Sequence, residues 1–339
     1  MKTISNFELP NTMRALVLAE YNGMPSVQHW PVPVPETGQI LVKIDSSPIN
    51  PSDNSFLKGL YSTRKKLPVV AGFEASGQVV ATGDDWLSRR LLGKNVACFA
   101  PMDGDGSWAE YMVTKHTMAI PLRKSIDLEQ GSMLMVNPLS SLAMIDIAKK
   151  GGHKAIVNTA AASALGQMLG KMCRDSDIAL LNIVRRPEQV KLLKDQGANY
   201  VLDSSTASFK KELAELCTSL QISLAYDAIA GTMPADLLEA MPLGSEVRVY
   251  GGLSEDTMAL DPRKLIFEKK KICGFWLSEW LTHQHLIKLL FYFNKIQKYL
   301  SEKHQTTIQQ RVPLDGVVDG LATYLDHMTA GKVIVKPGL

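Results

Sequence analysis

Ala155-Ile156-Val157-Asn158-Thr159-Ala160-Ala161-Ala162-Ser163-Ala164-Leu165-Gly166 is the stretch that decides the fold. It opens with a short apolar run of strand type, passes through small residues, and enters a helical pattern that runs to about Cys173. Small side chains at a strand-to-helix turn let a backbone come close to a pyrophosphate. The helix N-terminus then offers free N–H groups and the positive end of its dipole. The glycine pattern usual for such turns is reduced to Gly166, with Ser163 and Ala164 at the other small positions. Taken alone, the segment reads equally as a small-residue helix packed on a sheet.

The next strand sharpens the reading. Ala179-Leu180-Leu181-Asn182-Ile183-Val184 ends in Arg185-Arg186-Pro187. In a dinucleotide-binding unit the end of the second strand carries an acid for the NAD ribose. A guanidinium there instead forms charge-assisted bonds to a 2′-phosphate, so the pair selects NADPH; otherwise it is a solvated basic pair at a strand end.

Working outward, strand and helix patterns alternate from about Gly131. Pro187–Gln196 reads as a helix stopped by Gly197, and Tyr200–Leu202, Leu224–Ala228, Val247–Tyr250 and Lys271–Phe275 read as strands. This alternation implies parallel βαβ units. From Met13 to about Ile120 the texture is different: β-rich runs at Met13–Leu18, Ile40–Ile44, Gln78–Ala81 and Val96–Phe99, cut by many Pro and Gly. That half reads as an irregular β-domain. Leu286–Phe293 reads as an amphipathic helix, too short and too polar at Lys288 to cross a bilayer. Lys332–Val335 is a last strand.

Composition excludes several classes. With 339 residues, 45% apolar and 21% charged, the chain can bury full cores. A net charge of +3, with scattered Lys and Arg, gives no footprint for nucleic acid or a membrane surface. Cys98, Cys173, Cys217 and Cys273 form no Cys-x-x-Cys pair, which disfavours disulfides and closed zinc sites and fits a cytoplasmic protein. Met1–Thr12 lacks the features of a targeting peptide. The seven histidines, His304 among them, fall in no catalytic or ligand spacing.

Several blocks resemble the medium-chain dehydrogenase/reductase family. They are Asn50-Pro51-Ser52-Asp53, Gly59-Leu60-Tyr61, Ala71-Gly72-Phe73-Glu74-Ala75-Ser76-Gly77 and Gly106-Ser107-Trp108-Ala109-Glu110-Tyr111. Asn137-Pro138-Leu139-Ser140, Ala160–Gln167, Asn182–Arg186 and Leu265-Ile266-Phe267 with Gly274–Ser278 are similar to its 2-enoyl thioester reductase branch; related quinone reductases share part of the pattern. The resemblance implies an α/β protein: a GroES-like β-domain over 1–131 and 279–339, with an inserted Rossmann domain, a doubly wound parallel sheet, over 132–278. It implies NADPH in a cleft, against Asn50, Asn137, Ala162, Ser163, Ala164, Leu165, Arg185, Arg186, Tyr250, Gly251, Gly252, Phe275, Trp276, Leu277 and Lys332. It also implies a homodimer.

Zinc members carry Gly-His-Glu where this chain has Gly72-Phe73-Glu74, and a phenyl ring cannot ligate a metal. A zinc-free enzyme is therefore expected. The activity implied is reduction of an activated C=C bond, with hydride to Cβ and a proton to Cα, on an enoyl-CoA or enoyl-ACP. Quinone or enone reduction and non-catalytic NADPH binding are the alternatives. Tyr61 matches the tyrosine that the branch places near the acceptor, where a phenol donates a hydrogen bond or a proton. Ala162 and Arg186 depart from the branch's Asn and Asp. Asn50 and Asp53 match a turn beside the nicotinamide, although an Asx-Pro turn has its own structural use. Glu74 reads as a structural acid. Lys58, Arg64, Lys65 and Lys66 flank Tyr61 and read as a solvated basic loop, with a basic entrance for a phosphorylated carrier as the alternative.

Overall fold

The computed structural model describes residues 2–3, 8–62, 64–302 and 305–339; His304 lies outside them. The chain forms two compact units, Met1–Val136 with Phe293–Leu339, and Asn137–Tyr292. The boundaries expected from sequence fall earlier in both places. Residues after Gly131 stay with the first unit, where the Val136 N–H donates to Glu74 Oε2 at 2.9 Å. The helix Leu277–Thr282 and the residues that follow stay with the second, where Trp280 stacks on Tyr292 at 5.3 Å and Lys288 Nζ lies 3.4 Å from Asp146.

The second unit is built on six strands: β1 (Ala155–Asn158), β2 (Ala179–Val184), β3 (Tyr200–Asp203), β4 (Leu224–Asp227), β5 (Glu246–Val249) and β6 (Lys271–Gly274). Their spatial order is β3-β2-β1-β4-β5-β6, and every pair is parallel. This is the doubly wound order, whose crevice opens between the carboxyl ends of β1 and β4. Helices cover the sheet, so β1 and β4 are buried along their whole length, each an apolar run ended by one polar residue, Asn158 and Asp227. Val157, Leu181, Ala225 and Val247 pack with Leu213 and Leu237 in one core. The last strand stops at Gly274, but the Phe275 N–H still donates to Val249 O at 2.8 Å and carries the ladder one residue on. β6 pairs only with β5 among the described residues.

The first unit is a β-domain. An eight-stranded sheet runs Ile308–Val312, Lys332–Val335, Gln39–Pro48, Glu74–Thr82, Asn95–Phe99, Ala119–Pro121, with Tyr111–Lys115 and Lys2–Thr3 joined to its side. A three-stranded sheet holds Ser26–Pro31, Thr12–Leu18 and Val69–Val70. The last strand of the chain returns to the first unit: Ile334 and Val335 pair antiparallel with Pro48 and Ser47. Trp108 is fully buried in this unit's core. None of the described helices is long and apolar enough to cross a membrane.

Gly77 sits where two strands cross closely: a Cβ built on it would lie 2.0 Å from Lys43 O. The strands must part to admit even a methyl group. Gly77→Ala is expected to lower stability by about 1–3 kcal/mol, read as an earlier urea midpoint with unchanged slope.

Candidate active site

The residues singled out in the sequence fall into two groups, one carried by each unit. In the second unit they gather at the carboxyl edge of the parallel sheet. Thr159 to Ser163 follow β1, Arg185 and Arg186 follow β2, Tyr250 to Gly252 follow β5, and Phe275 to Leu277 follow β6. Asn137 starts the helix Asn137–Lys150 of the same unit.

The turn after β1 is tightly specified. Ser163 caps the helix Ala164–Arg174, its Oγ accepting from the Gly166 N–H at 3.2 Å. The N–H groups of Ala164 and Leu165 open that helix and have no carbonyl one turn back within it. Gly166 is the one glycine the turn requires, since a Cβ there would meet Ala161 O at 2.5 Å. Ala162 is buried behind the turn. Ala160 holds φ at 47° and Ala230, just after β4, holds φ at 64°. Each left-handed alanine costs roughly 1–2 kcal/mol. The two flank the switch point between β1 and β4.

The sequence reading missed what holds these turns. Thr159 Oγ1 donates to Asp227 Oδ1 at 2.7 Å and accepts from the Ala228 N–H at 2.8 Å. Asp227 also accepts from the N–H groups of Ile229 and Ala230. Burial raises the Asp227 pKa, against the lowering effect of these bonds. Above the strand ends, Tyr250 OH donates to Asn158 Oδ1 at 3.1 Å, while Asn158 Nδ2 is buried without a hydrogen-bond partner. Arg185 and Arg186 are both exposed at the end of β2. An orphaned buried amide, open helix N–H groups and an exposed guanidinium pair make a donor set suited to a phosphorylated dinucleotide.

In the first unit, Asn50 caps the helix Pro51–Leu57, with Pro51 in the first position. Asp53 Oδ2 accepts from the Asn50 N–H at 2.7 Å, half of a capping box. The Asn50 side chain turns elsewhere: Nδ2 donates to Glu74 Oε1 at 2.9 Å, and Oδ1 accepts from Lys332 Nζ. Lys332 Nζ also donates to Ile49 O at 2.7 Å and to Tyr324 OH at 3.3 Å. Lys332 was expected to meet the cofactor. It is completely buried, and its ammonium donates to three oxygen acceptors inside the β-domain.

Burial pushes the carboxyls of Asp53 and Glu74 up to about 7, the Lys332 ammonium opposing the shift in both. Asp53 Oδ1 has no hydrogen-bond partner. Both acids face the Lys332 cation, with Lys65 a further cation for Asp53, and burial favours their protonated forms.

Tyr61 lies on a loop after that helix, half-buried, its ring 4.9 Å from Phe73. Phe73 meets Phe56 edge-on at 5.5 Å, and Phe56 meets Tyr21 at 5.8 Å. The basic residues flanking Tyr61 do not form one solvated face. Lys58, Arg64 and Lys66 are exposed, but Lys65 is 6% exposed. Among the described residues no group of three or more His, Cys, Asp or Glu is arranged to hold a metal ion.

Comparison with known proteins agrees with this geometry. Residues 36–124 match the alcohol dehydrogenase GroES-like domain, and residues 164–291 match the zinc-binding dehydrogenase family. The mitochondrial enoyl-[acyl-carrier-protein] reductase of Rattus norvegicus is 30% identical over 292 residues, covering 81% of this chain and 75% of that protein. The chain belongs to the medium-chain dehydrogenase/reductase superfamily. The Arabidopsis thaliana enzyme of the same name is 28% identical, over 83% of this chain and 76% of its own. Among solved structures, a Mesorhizobium loti protein described as an NADPH:quinone reductase matches this superfamily member with TM-score 0.90 and 34% identity, over 98% of this chain and 100% of that one. A mycobacterial protein solved with NADPH shares the fold, with TM-score 0.82 at 20% identity over 96% of this chain and 100% of that one.

The carboxyl pair gives the oxidoreductase a pH signature. Both groups bind protons more tightly folded, at about 7, than at their ordinary values of 3.8 and 4.5. Their contribution to stability is therefore largest in acid and declines as pH rises from about 4 through 7. Asp53→Asn keeps an acceptor for the Asn50 N–H and removes one titration. Its Tm should fall less than the parent's between pH 5 and pH 7.5 in calorimetry; an unchanged decline would refute the assignment to Asp53.

Proposed function

We propose that this oxidoreductase uses NADPH to reduce the activated C=C bond of a 2-enoyl thioester. The observation that carries the cofactor choice is the exposed Arg185–Arg186 pair at the end of β2. The observation that favours the substrate class is the likeness to mitochondrial enoyl-[acyl-carrier-protein] reductases over most of the chain. Quinone reduction is the second reading, favoured by the 34% identity with the Mesorhizobium loti protein.

Bound NADPH supplies the hydride. The chain's residues hold the dinucleotide and handle charge and the proton. The N–H groups of Ala164 and Leu165 and the turn closed by Gly166 serve the pyrophosphate, and Arg185 and Arg186 serve the 2′-phosphate. Tyr250, Gly251, Gly252, Phe275, Trp276 and Leu277 lie at the same sheet edge and are proposed as further cofactor contacts. Asn137, of the same unit, is proposed as a cofactor contact too, and so, separately, is Asn50 of the first unit, through the second proton of its Nδ2. The Tyr61 phenol faces the acceptor. It donates to the thioester oxygen as charge develops, or its O–H bond breaks as the C–H bond forms at Cα, and solvent reprotonates the tyrosinate.

One charge-assisted bond is worth roughly 1.5–3 kcal/mol, so NADPH should bind about 10- to 100-fold more tightly than NADH. Arg185→Asp should reverse much of that preference in fluorescence titration; equal affinities in the parent would remove the reading.

Tyr61→Phe should leave NADPH affinity unchanged and lower kcat for crotonyl-CoA by about 10²-fold. A quinone takes its proton at an exposed oxygen and should be much less affected. NADPH consumption measured with both acceptors decides between the two substrate classes.

The unpaired edge of β6 suits pairing with the same edge of a second copy. Light scattering at micromolar concentration should therefore give twice the chain mass, and a strict monomer would contradict this.

A further inference from the structure

Lys65 is the one basic residue of the Tyr61 loop that turns inward, and the loop is fastened through it. Its backbone carbonyl accepts from Tyr21 OH at 2.9 Å. Its ammonium donates to Gly104 O at 2.7 Å. The same nitrogen stands 5.7 Å from the centre of the Phe56 ring and 5.9 Å from that of Phe73. Phe73 is the ring on which Tyr61 rests. On the other side of Tyr61, its own N–H is tied to Ser55 O at 3.2 Å. The loop is thus held at two points, one before the phenol and one after it. Between and around them Leu60, Arg64 and Lys66 face solvent.

We propose that Lys65 is a positioning residue for Tyr61: its buried ammonium clamps the loop onto the Phe56–Phe73 rings and fixes the phenol toward the acceptor. This rests on the reading of Tyr61 as the group that meets the acceptor.

The charge is a costly way to fill that space. A desolvated ammonium is disfavoured against an apolar side chain of similar length, and here it has a single carbonyl acceptor and two ring faces. Burial pushes the Lys65 pKa down to about 8, and the carboxylates of Asp105, Asp103 and Asp53 oppose that shift. Asp105 is itself fixed, accepting from Trp30 Nε1 at 2.8 Å and from the Val70 N–H at 2.9 Å. Arg64 next door is exposed, its guanidinium 5.8 Å from the centre of the Tyr21 ring. Such a buried cation is explained by what it holds in place, not by the stability it adds. The sign follows from the lowered pKa. The clamp is charged below about pH 8 and loses its charge as pH rises through that value.

The test uses the full-length protein and three variants, Lys65→Met, Lys65→Arg and Tyr61→Phe. Lys65→Met removes the charge, keeps the apolar stem, and is expected to fold with a Tm no lower than the parent's. Its kcat for crotonyl-CoA should fall about 10- to 100-fold, the loss expected of a misplaced group, with NADPH affinity unchanged. Without any substrate, amide hydrogen exchange in peptides spanning residues 58–68 should speed up several-fold in Lys65→Met. Lys65→Arg should restore most of kcat and slow exchange again. In the parent, kcat should decline above about pH 8, and in Lys65→Arg that limb should move to clearly higher pH because a guanidinium stays charged. Parental kcat and exchange in Lys65→Met would overturn the inference, as would an alkaline limb left in place in Lys65→Arg. Collapse of Tyr61→Phe with a fully active Lys65→Met sinks the inference alone. A fully active Tyr61→Phe sinks the reading of Tyr61 and the inference with it.

Discussion

The Lys332 ammonium is the interaction on which the β-domain depends. It comes from the last strand of the chain and reaches Ile49 O, Asn50 Oδ1 and Tyr324 OH, none of it exposed to water. Without it, the buried carboxyl of Glu74 would lose the cation that offsets its burial, and that of Asp53 would keep only the weaker effect of Lys65. With it, the Asn50 amide has one orientation only: its oxygen faces a donor and its nitrogen faces Glu74. A strand far away in sequence thereby fixes the first turn of the helix Pro51–Leu57 and the start of the loop that carries Tyr61. Breaking a buried pair of this kind leaves an uncompensated charge, which is far costlier than never having built it.

The second unit is organised by close backbone approach. Its turns after β1 and β4 bring peptide groups near enough that Gly166 admits no side chain and two alanines take left-handed conformations. Thr159 and Asp227 meet that strain with two hydrogen bonds across the switch point and two within the turn after β4. Strain of this size survives only where neighbouring bonds over-determine it, and it lies here at the mouth of the crevice.

The aromatic cluster of Tyr21, Phe56, Phe73 and Tyr61 seats the loop that follows the helix Pro51–Leu57. Phe73 stands where zinc members carry a histidine, and its ring serves as the platform for the Tyr61 phenol. A ring platform supplies orientation but no charge. Among the ionisable groups buried in the same unit are Asp53, Glu74 and Lys65.

By itself the sequence determined the two-unit plan, the parallel strands and the turn after β1, because hydrophobic period, small residues and helix caps are local properties of the chain. It showed Arg185 and Arg186 at a strand end because such a place follows from counting along β1 and β2. Only the tertiary structure decided the fate of the lysines. Lys332 and Lys65 look like any exposed basic residue in sequence, and one is buried among oxygens while the other lies over two rings. Nor could Thr159 be seen to need Asp227, since their bond joins positions 68 residues apart. The reason is physical. Burial of a charge depends on partners from distant strands arriving at one point, and no local pattern of residue types records which strands will meet.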